Sequence, residues 1–404
     1  MRVAFLLLHD FRFAAQSMED FAGSSFHFSK EYARLIGKRG HEVSLYTLGH
    51  DMDRPKFYDR GDYVIKAYPV EAYFPPGMRF GNSHSVSLLR ELSSEKPDII
   101  HFHSYELWSF PYVSAFAKLF GFGLVAQYHG RVDPLAGVKG RLFSLSYKLA
   151  DRYLVPFAKE VEGLARNAGV SRGKIIRFPN RGVDVRLFRR VCAPEGHPLL
   201  LYVGRTPKPS SSLFEKSPHL LLPMMKVLKS RGEDVRLIMA GDGPGLGHLI
   251  EMARALGVSD RVTFMGRVSQ EELPELYSRA WFTFDPMHME DIDPYWGGTL
   301  KESLACGTPV IAFNNARPRH SKWGLLVPSD PRASASAVAG ALREKVVSSQ
   351  AYIDGPSFVE RCCSWSSVID RLLGVYGGLV ERVGWGSVKR EVDNPEAHLG
   401  ARTS

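Results

Sequence analysis

The chain has 404 residues, 44% of them hydrophobic and 24% charged, with a formal net charge of +9. That is the composition of a soluble globular protein, and the length exceeds one ordinary core, so two domains are expected. No apolar stretch reaches the roughly 18 residues of a membrane span, and the basic excess is diffuse with no RNA-binding signature, so neither a transmembrane helix nor a nucleic-acid partner is expected.

Taken in chain order, the first apolar run spans residues 3–8 and is closed by His9-Asp10. It is too short for a signal-peptide core and suits a buried parallel strand, so a cytoplasmic protein is expected. Further runs follow at 42–46, 99–102, 124–127 and 153–155, with amphipathic segments such as 29–38 between them. A second series lies at 199–203, 235–240, 262–265, 281–284 and 310–313, separated by helical patterns at 220–230, 247–256 and 270–278. This alternation predicts an α/β protein of two doubly wound Rossmann-like domains, with ligands beyond the carboxyl ends of the strands in a cleft that both domains face.

The polar, turn-rich stretch 184–198 marks the boundary. The domains are read as 1–188 and 189–364, with a helix at about 365–384 packing back on the first. Residues 385–404 lose periodicity and are expected to form a disordered tail. The Pro/Ser-rich segment 206–214 reads as an inserted loop. Lys139, Arg141, Lys148 and Arg152, interleaved with Leu142, Phe143, Leu145, Tyr147 and Leu149, read as a basic amphipathic helix. Such a helix is either a solvated face or a contact for an anionic membrane or a lipid-linked phosphate acceptor.

Several residues have the chemistry of an anion site. Gly297-Gly298-Thr299-Leu300-Lys301-Glu302 places glycines before a helix, where free backbone N–H groups favour phosphate. Glu302, about one turn in, is an acceptor-only group suited to a ribose diol. Arg205 directly follows a strand and Gly204, and Lys216 follows the insertion; an Arg and a Lys on one rim suit a diphosphate. The run 240–247 has Leu246 where a third fingerprint glycine would stand, which argues against a dinucleotide cofactor.

His129 ends a strand, where it can meet a sugar or be structural. His101 and His103 share one strand face, with no third metal ligand in view. Gly23-Ser24-Ser25 precedes another helix. Cys192, Cys306, Cys362 and Cys363 form no C-x-x-C pair and read as reduced core thiols.

The order of these marks, from His129-Gly130 through 179–184, 203–205, 241–244 and 266–267 to the run 301–314, resembles glycosyltransferase family 4, the retaining enzymes of GT-B fold. The resemblance extends from Met1 to about Tyr376, and 302–312 matches the family signature almost position by position. It implies that Arg205 and Lys216 hold the donor diphosphate, that Glu302 binds the ribose, and that Gly298 and Thr299 face the phosphates. It further implies that Arg267 lies beside the nucleobase, that His129 touches the donor sugar, and that Gly23 approaches the donor. Ser364-Trp365 looks like the helix start that crosses back to the first domain.

The chain departs from the family at four places, the first being the N-terminal loop, which has Gly23-Ser24 instead of a glycine pair. Pro294 stands where the family's E-x7-E motif has its first glutamate, with Glu290, Asp291 and Asp293 nearby. Arg181 is an extra residue within the usual P-N-G-V-D. The insertion shifts the spacing before Lys216 and leaves Lys208 as a rival.

The implied activity is transfer of a hexosyl unit from a UDP- or GDP-sugar to a glycan, lipid-linked or small-molecule acceptor, with retention and without a metal or other cofactor. Peripheral contact with the inner membrane face accompanies the lipid-linked option. A non-catalytic sugar-nucleotide-binding protein and a GT-B sugar-nucleotide epimerase are the alternatives.

Overall fold

The computed structural model describes residues 1–8, 17–24, 27–73, 83–129, 143–208, 216–314, 317–344 and 350–392. The chain forms two compact units, Met1–Asn180 with Ile369–Ser404, and Arg181–Val368.

The first unit is built on an eight-stranded sheet. Its strands run, in spatial order, Ile175–Arg177, Arg152–Val155, Gly123–Gln127, Ile99–His103, Arg2–Leu7, Glu42–Gly49, Val64–Pro69 and Lys56–Asp59. All neighbours are parallel except the last pair. Ile99–His103 and Gly123–Gln127 are buried at every position, as strands covered on both faces must be. The flanking helix Phe28–Gly37 turns Tyr32, Ala33 and Ile36 onto the sheet, the three-to-four spacing of one helix face.

The second unit repeats the plan with seven strands: Val262–Gly266, Arg236–Ala240, Leu199–Val203, Phe282–His288, Val310–Asn314, Gly324–Pro328 and Arg319–Ser321. Only the final pair is antiparallel. The chain leaves Leu199–Val203 toward one edge and returns on its other side as Phe282–His288. The strand order therefore reverses between these two, and ligands of open α/β sheets bind at such a reversal. The covering helix Pro331–Arg343 starts on Asp330, whose carboxylate accepts the N–H groups of Arg332 and Ala333, with Pro331 where no helical donor is needed.

The helix Trp365–Val392 starts beside Val183: Val183 and Ser364 form a parallel bridge, and the Trp365 N–H donates to the Val183 carbonyl at 3.1 Å. From Ile369 onward this helix belongs to the first unit, where the Tyr376 hydroxyl meets His101 Nδ1 at 2.5 Å. It runs past Gly384 into the stretch expected to be a tail; residues 393–404 lie outside the described residues. Arg152 opens a strand, so the basic helix expected from Lys139 to Arg152 is not one element. A helical turn covers 143–147, with Phe143 and Tyr147 buried and Leu145 exposed, while Lys139, Arg141 and Leu142 lie outside the described residues.

At the strand ends of the second unit the backbone is tightly packed. Gly204 N–H donates to the Ala240 carbonyl at 3.0 Å, and Gly241 N–H to that of Gly266 at 2.7 Å. Gly241 has φ +148°, and a Cβ there would stand 1.8 Å from the Gly204 carbonyl oxygen. Both conformation and space demand glycine. The substitution Gly241→Ala is expected to cost the second unit about 2 kcal/mol or more through strain and displaced backbone. Thermal unfolding of the variant should show a clearly lowered transition; an unchanged one would contradict the packing of these turns.

Candidate active site

The second unit gathers four of the expected residues at its strand reversal. Lys216 Nζ lies 3.2 Å from Thr299 Oγ1, 3.4 Å from the Val203 carbonyl and 3.4 Å from Asp285 Oδ1. Only the first is a good hydrogen bond; the contact with Asp285 is an ion pair outside hydrogen-bond geometry. Ser217 N–H donates to the Pro286 carbonyl at 2.9 Å, which ties the residue after Lys216 to the strand carrying Asp285. Lys216 thus has a fixed place, whereas its rival Lys208 is exposed.

Helix Thr299–Ala305 follows Gly297, which sits at φ +65°, and is capped by Gly298. Its face carries Glu302, only 7% exposed. Arg181 Nη2 donates to Glu302 Oε1 at 2.8 Å and the Tyr277 hydroxyl to Oε2 at 3.0 Å. Burial and the neighbouring Glu302 carboxylate hold the Tyr277 phenol well above its ordinary range, so it stays a donor. A carboxylate offers about four lone-pair directions, and these two bonds leave others open to a diol.

Gly298 has an ordinary φ of −86°. A side chain there would instead strike Arg181: an ideal Cβ falls 2.6 Å from its Cζ. Glycine at 298 makes room for a guanidinium.

Arg205 and Arg267 are both exposed, at the ends of Leu199–Val203 and Val262–Gly266. The Arg205 carbonyl accepts the Tyr202 hydroxyl, which fixes the turn and leaves the guanidinium free of that task. Pro294 is buried, and Cys363 Sγ approaches its carbonyl at 3.7 Å. Of its acidic neighbours, Glu290 and Asp291 are exposed, and Asp291 accepts the N–H of Ile292 at 2.9 Å. Asp293 is half-buried, accepts the N–H of Tyr295 at 3.0 Å, and adds to the field on Lys301.

In the first unit, His129 Nε2 and His103 Nδ1 are 2.8 Å apart, and Phe28 stacks on the His129 ring at 4.4 Å between centroids. His101 bonds to Gln127 Oε1 at 3.0 Å, and burial lowers its pKa to about 3, so it is neutral. Gly23 ends helix Met18–Gly23 and is exposed; Ser25 lies outside the described residues. Lys30, which sequence reasoning passed over, donates to the Phe21 carbonyl and, at 2.8 Å, to that of Ser24, and burial lowers its pKa to about 8. Among the described residues no group of three His, Cys, Asp or Glu side chains is placed to hold a metal ion.

Asp285, Tyr277 and Arg181 were also missed as site residues. Asp285 lies inside an apolar strand and Tyr277 inside an amphipathic helix, and only their partners distinguish them. Arg181 did leave a signal, as the extra residue in P-N-R-G-V-D.

Two doubly wound sheets, each with its polar groups at the strand reversal, make this a GT-B protein of two Rossmann-like domains. The chain belongs to the glycosyltransferases of family 4: residues 28–187 match the model described as Glycosyltransferase Family 4 and 186–347 that of Glycosyl transferases group 1. It is therefore a glycosyltransferase. The D-inositol 3-phosphate glycosyltransferase of Geodermatophilus obscurus is 26% identical, over 95% of this chain and 90% of its own length. Among solved structures, a glycosyltransferase from Rickettsia africae superposes with TM-score 0.66 at 16% identity, covering 94% of this chain and 98% of that one. HepE from Anabaena in complex with UDP gives 0.64 at 13% identity, covering 94% and 100%.

Lys301 supplies a pH test of this site. It is fully buried, donates to the Gly297 carbonyl at 2.8 Å, and desolvation lowers its pKa to about 7. Below about pH 7 both folded and unfolded chains hold the proton and the burial penalty is complete. Between that value and a free lysine's 10.5 the unfolded chain binds more protons, so stability rises with pH. The difference in urea midpoint between wild type and Lys301→Met should therefore shift in favour of wild type from pH 6 to pH 9. A pH-independent difference would contradict a buried, titrating lysine.

Proposed function

We propose that the chain transfers a hexosyl unit from a nucleoside diphosphate sugar, UDP- or GDP-linked, with retention at the anomeric carbon. The observation that carries this is the joint placement of Lys216 on Thr299 and of Glu302 under Tyr277. Gly298 and Glu302 are four residues apart, about 6 Å along a helix, a span comparable to that between a diphosphate and its ribose. The structures of HepE with UDP, and with UDP and glucose, add support for this class of donor.

In this reading the bond from the anomeric carbon to the diphosphate oxygen breaks, and the acceptor oxygen bonds to the same face. The acceptor proton passes to a donor phosphate oxygen, so no carboxylate pair is required. Charge on the leaving diphosphate is met by Lys216 and Arg205, with no metal invoked. Glu302 takes the ribose, Arg267 the nucleobase side, and His129 and Gly23 the transferred sugar. Asp293 is the acidic group assigned to the sugar hydroxyls that the missing glutamate would otherwise serve, because it alone of the three neighbours is half-buried.

For the acceptor, a small phosphorylated polyol is the first class to test, given the name of the curated relatives. The lipid-linked acceptor has less support, because Arg152 lies on a strand. One observation favours peripheral membrane contact: Leu119 and Phe120 are 82% and 50% exposed beside Lys118. Flotation with anionic vesicles should then depend on Phe120, being lost in Phe120→Asp; equal recovery of both proteins, or none of either, excludes this contact.

Arg205→Ala tests the main reading. Its exposed side chain contributes little to the fold, so the melting temperature should hold within a degree or so, while kcat/KM falls about 100-fold. With radiolabelled donors, wild type should move label to an acceptor or slowly release nucleotide. Intact donor would indicate a binding protein, and a converted sugar without acceptor an epimerase.

A further inference from the structure

We infer that Arg181, the extra residue of P-N-R-G-V-D, is a third cation for the donor diphosphate, beside Lys216 and Arg205. The inference rests on the donor reading above and adds a residue to that site. Three observations carry it.

The first is position. Arg181 lies against Gly298 and Lys216 lies on Thr299, so two cations bracket one dipeptide. A group bound at Gly298-Thr299 meets both.

The second is accommodation. Gly298 has a backbone conformation open to any residue, yet a side chain there would collide with the Arg181 guanidinium, at 2.6–3.0 Å from Cζ, Nη2 and Nη1. The bare position at 298 leaves room for the guanidinium of the added arginine.

The third is unused capacity. A guanidinium has five N–H groups. Nη2 is engaged by Glu302 Oε1, but Nε is buried and has no hydrogen-bond partner among the described residues. The guanidinium therefore keeps donors beyond the one given to Glu302. The side chain is still 36% exposed, so an incoming ligand can reach it.

The ion pair with Glu302 has a consequence of its own. Glu302 is an anion about one helical turn from where the diphosphate would lie, and the two repel. Arg181 offsets that repulsion while leaving lone pairs of Glu302 for the ribose. Arginine suits this double task better than lysine because its planar fork serves a carboxylate and a phosphate at once.

Two other roles are possible for the same contacts, and each has a different signature. Arg181 would act on ribose affinity alone if it merely held Glu302 in place. It would oppose binding altogether if it occupied Glu302 as a latch.

Calorimetric titration of the full chain with UDP, GDP, UMP and uridine separates these, using wild type, Arg181→Gln and Arg181→Lys, with Arg205→Ala as the reference variant. The expected result is a roughly 10- to 100-fold weaker diphosphate in Arg181→Gln, a smaller loss for UMP, an unchanged uridine, and partial recovery in Arg181→Lys. An equal loss for all ligands would make Arg181 a positioning residue for Glu302 and overturn the inference. Tighter binding by Arg181→Gln would make it a latch and do the same. Wild-type affinity for UDP and GDP in both variants, with Arg205→Ala impaired, would remove Arg181 alone from the site. Failure of wild type to bind either diphosphate would overturn the donor reading and this inference with it. Melting curves of both variants establish that the compared proteins are folded.

Discussion

A carboxylate as deeply buried as that of Asp285 must have a counter-charge, and Lys216 supplies it across 3.4 Å at the point where the strand order reverses. Asp285 is fixed by its strand, so its charge determines where the lysine can rest. Lys216 in turn is joined to Thr299 and to the end of Leu199–Val203. Removing Asp285 would release the lysine; removing the lysine would leave an uncompensated buried charge. The pair is as much a constraint on the fold as a part of the site.

Around that pair the backbone is arranged by close approach. Gly241 lets the turns after two parallel strands touch, and Gly298 lets a guanidinium lie on the main chain. The two glycines act by different means. Gly241 has a positive φ that an L side chain rarely adopts, whereas Gly298 has an ordinary conformation and leaves space that the Arg181 guanidinium fills. Tyr277 and Arg181 hold the two oxygens of Glu302. These charged groups determine one another's positions, whereas Arg205 and Arg267 are exposed at the ends of their strands.

Much of the fold was legible because parallel strands buried on both faces are written as short apolar runs. Those at 99–102, 124–127 and 199–203 each became a strand. The two edge strands of the first sheet were not legible. Lys56–Asp59 alternates intermediate and exposed residues, and Ile175–Arg177 is only half-buried throughout; neither produces an apolar run. The reading of Lys139 to Arg152 as one helix failed because periodicity cannot show where a helix stops and a strand starts within mixed apolar and basic residues. Tyr153, Leu154 and Val155 bury completely in a parallel strand, and that pairing captured Arg152.

The sequence by itself determined the alternation of strands and helices, the glycines at the turns, and the signature around Glu302. These are local properties, set by side-chain burial and by the conformations that particular residues permit, so they can be read along the chain. Only the tertiary structure decided that Asp285, in an apolar strand, faces Lys216, that Tyr277 closes Glu302, and that Arg181 lies on Gly298. Arg181 and Glu302 are 121 residues apart and Lys216 and Thr299 are 83 apart. Electrostatic partnership depends on distance in space, and folding, not sequence neighbourhood, sets that distance.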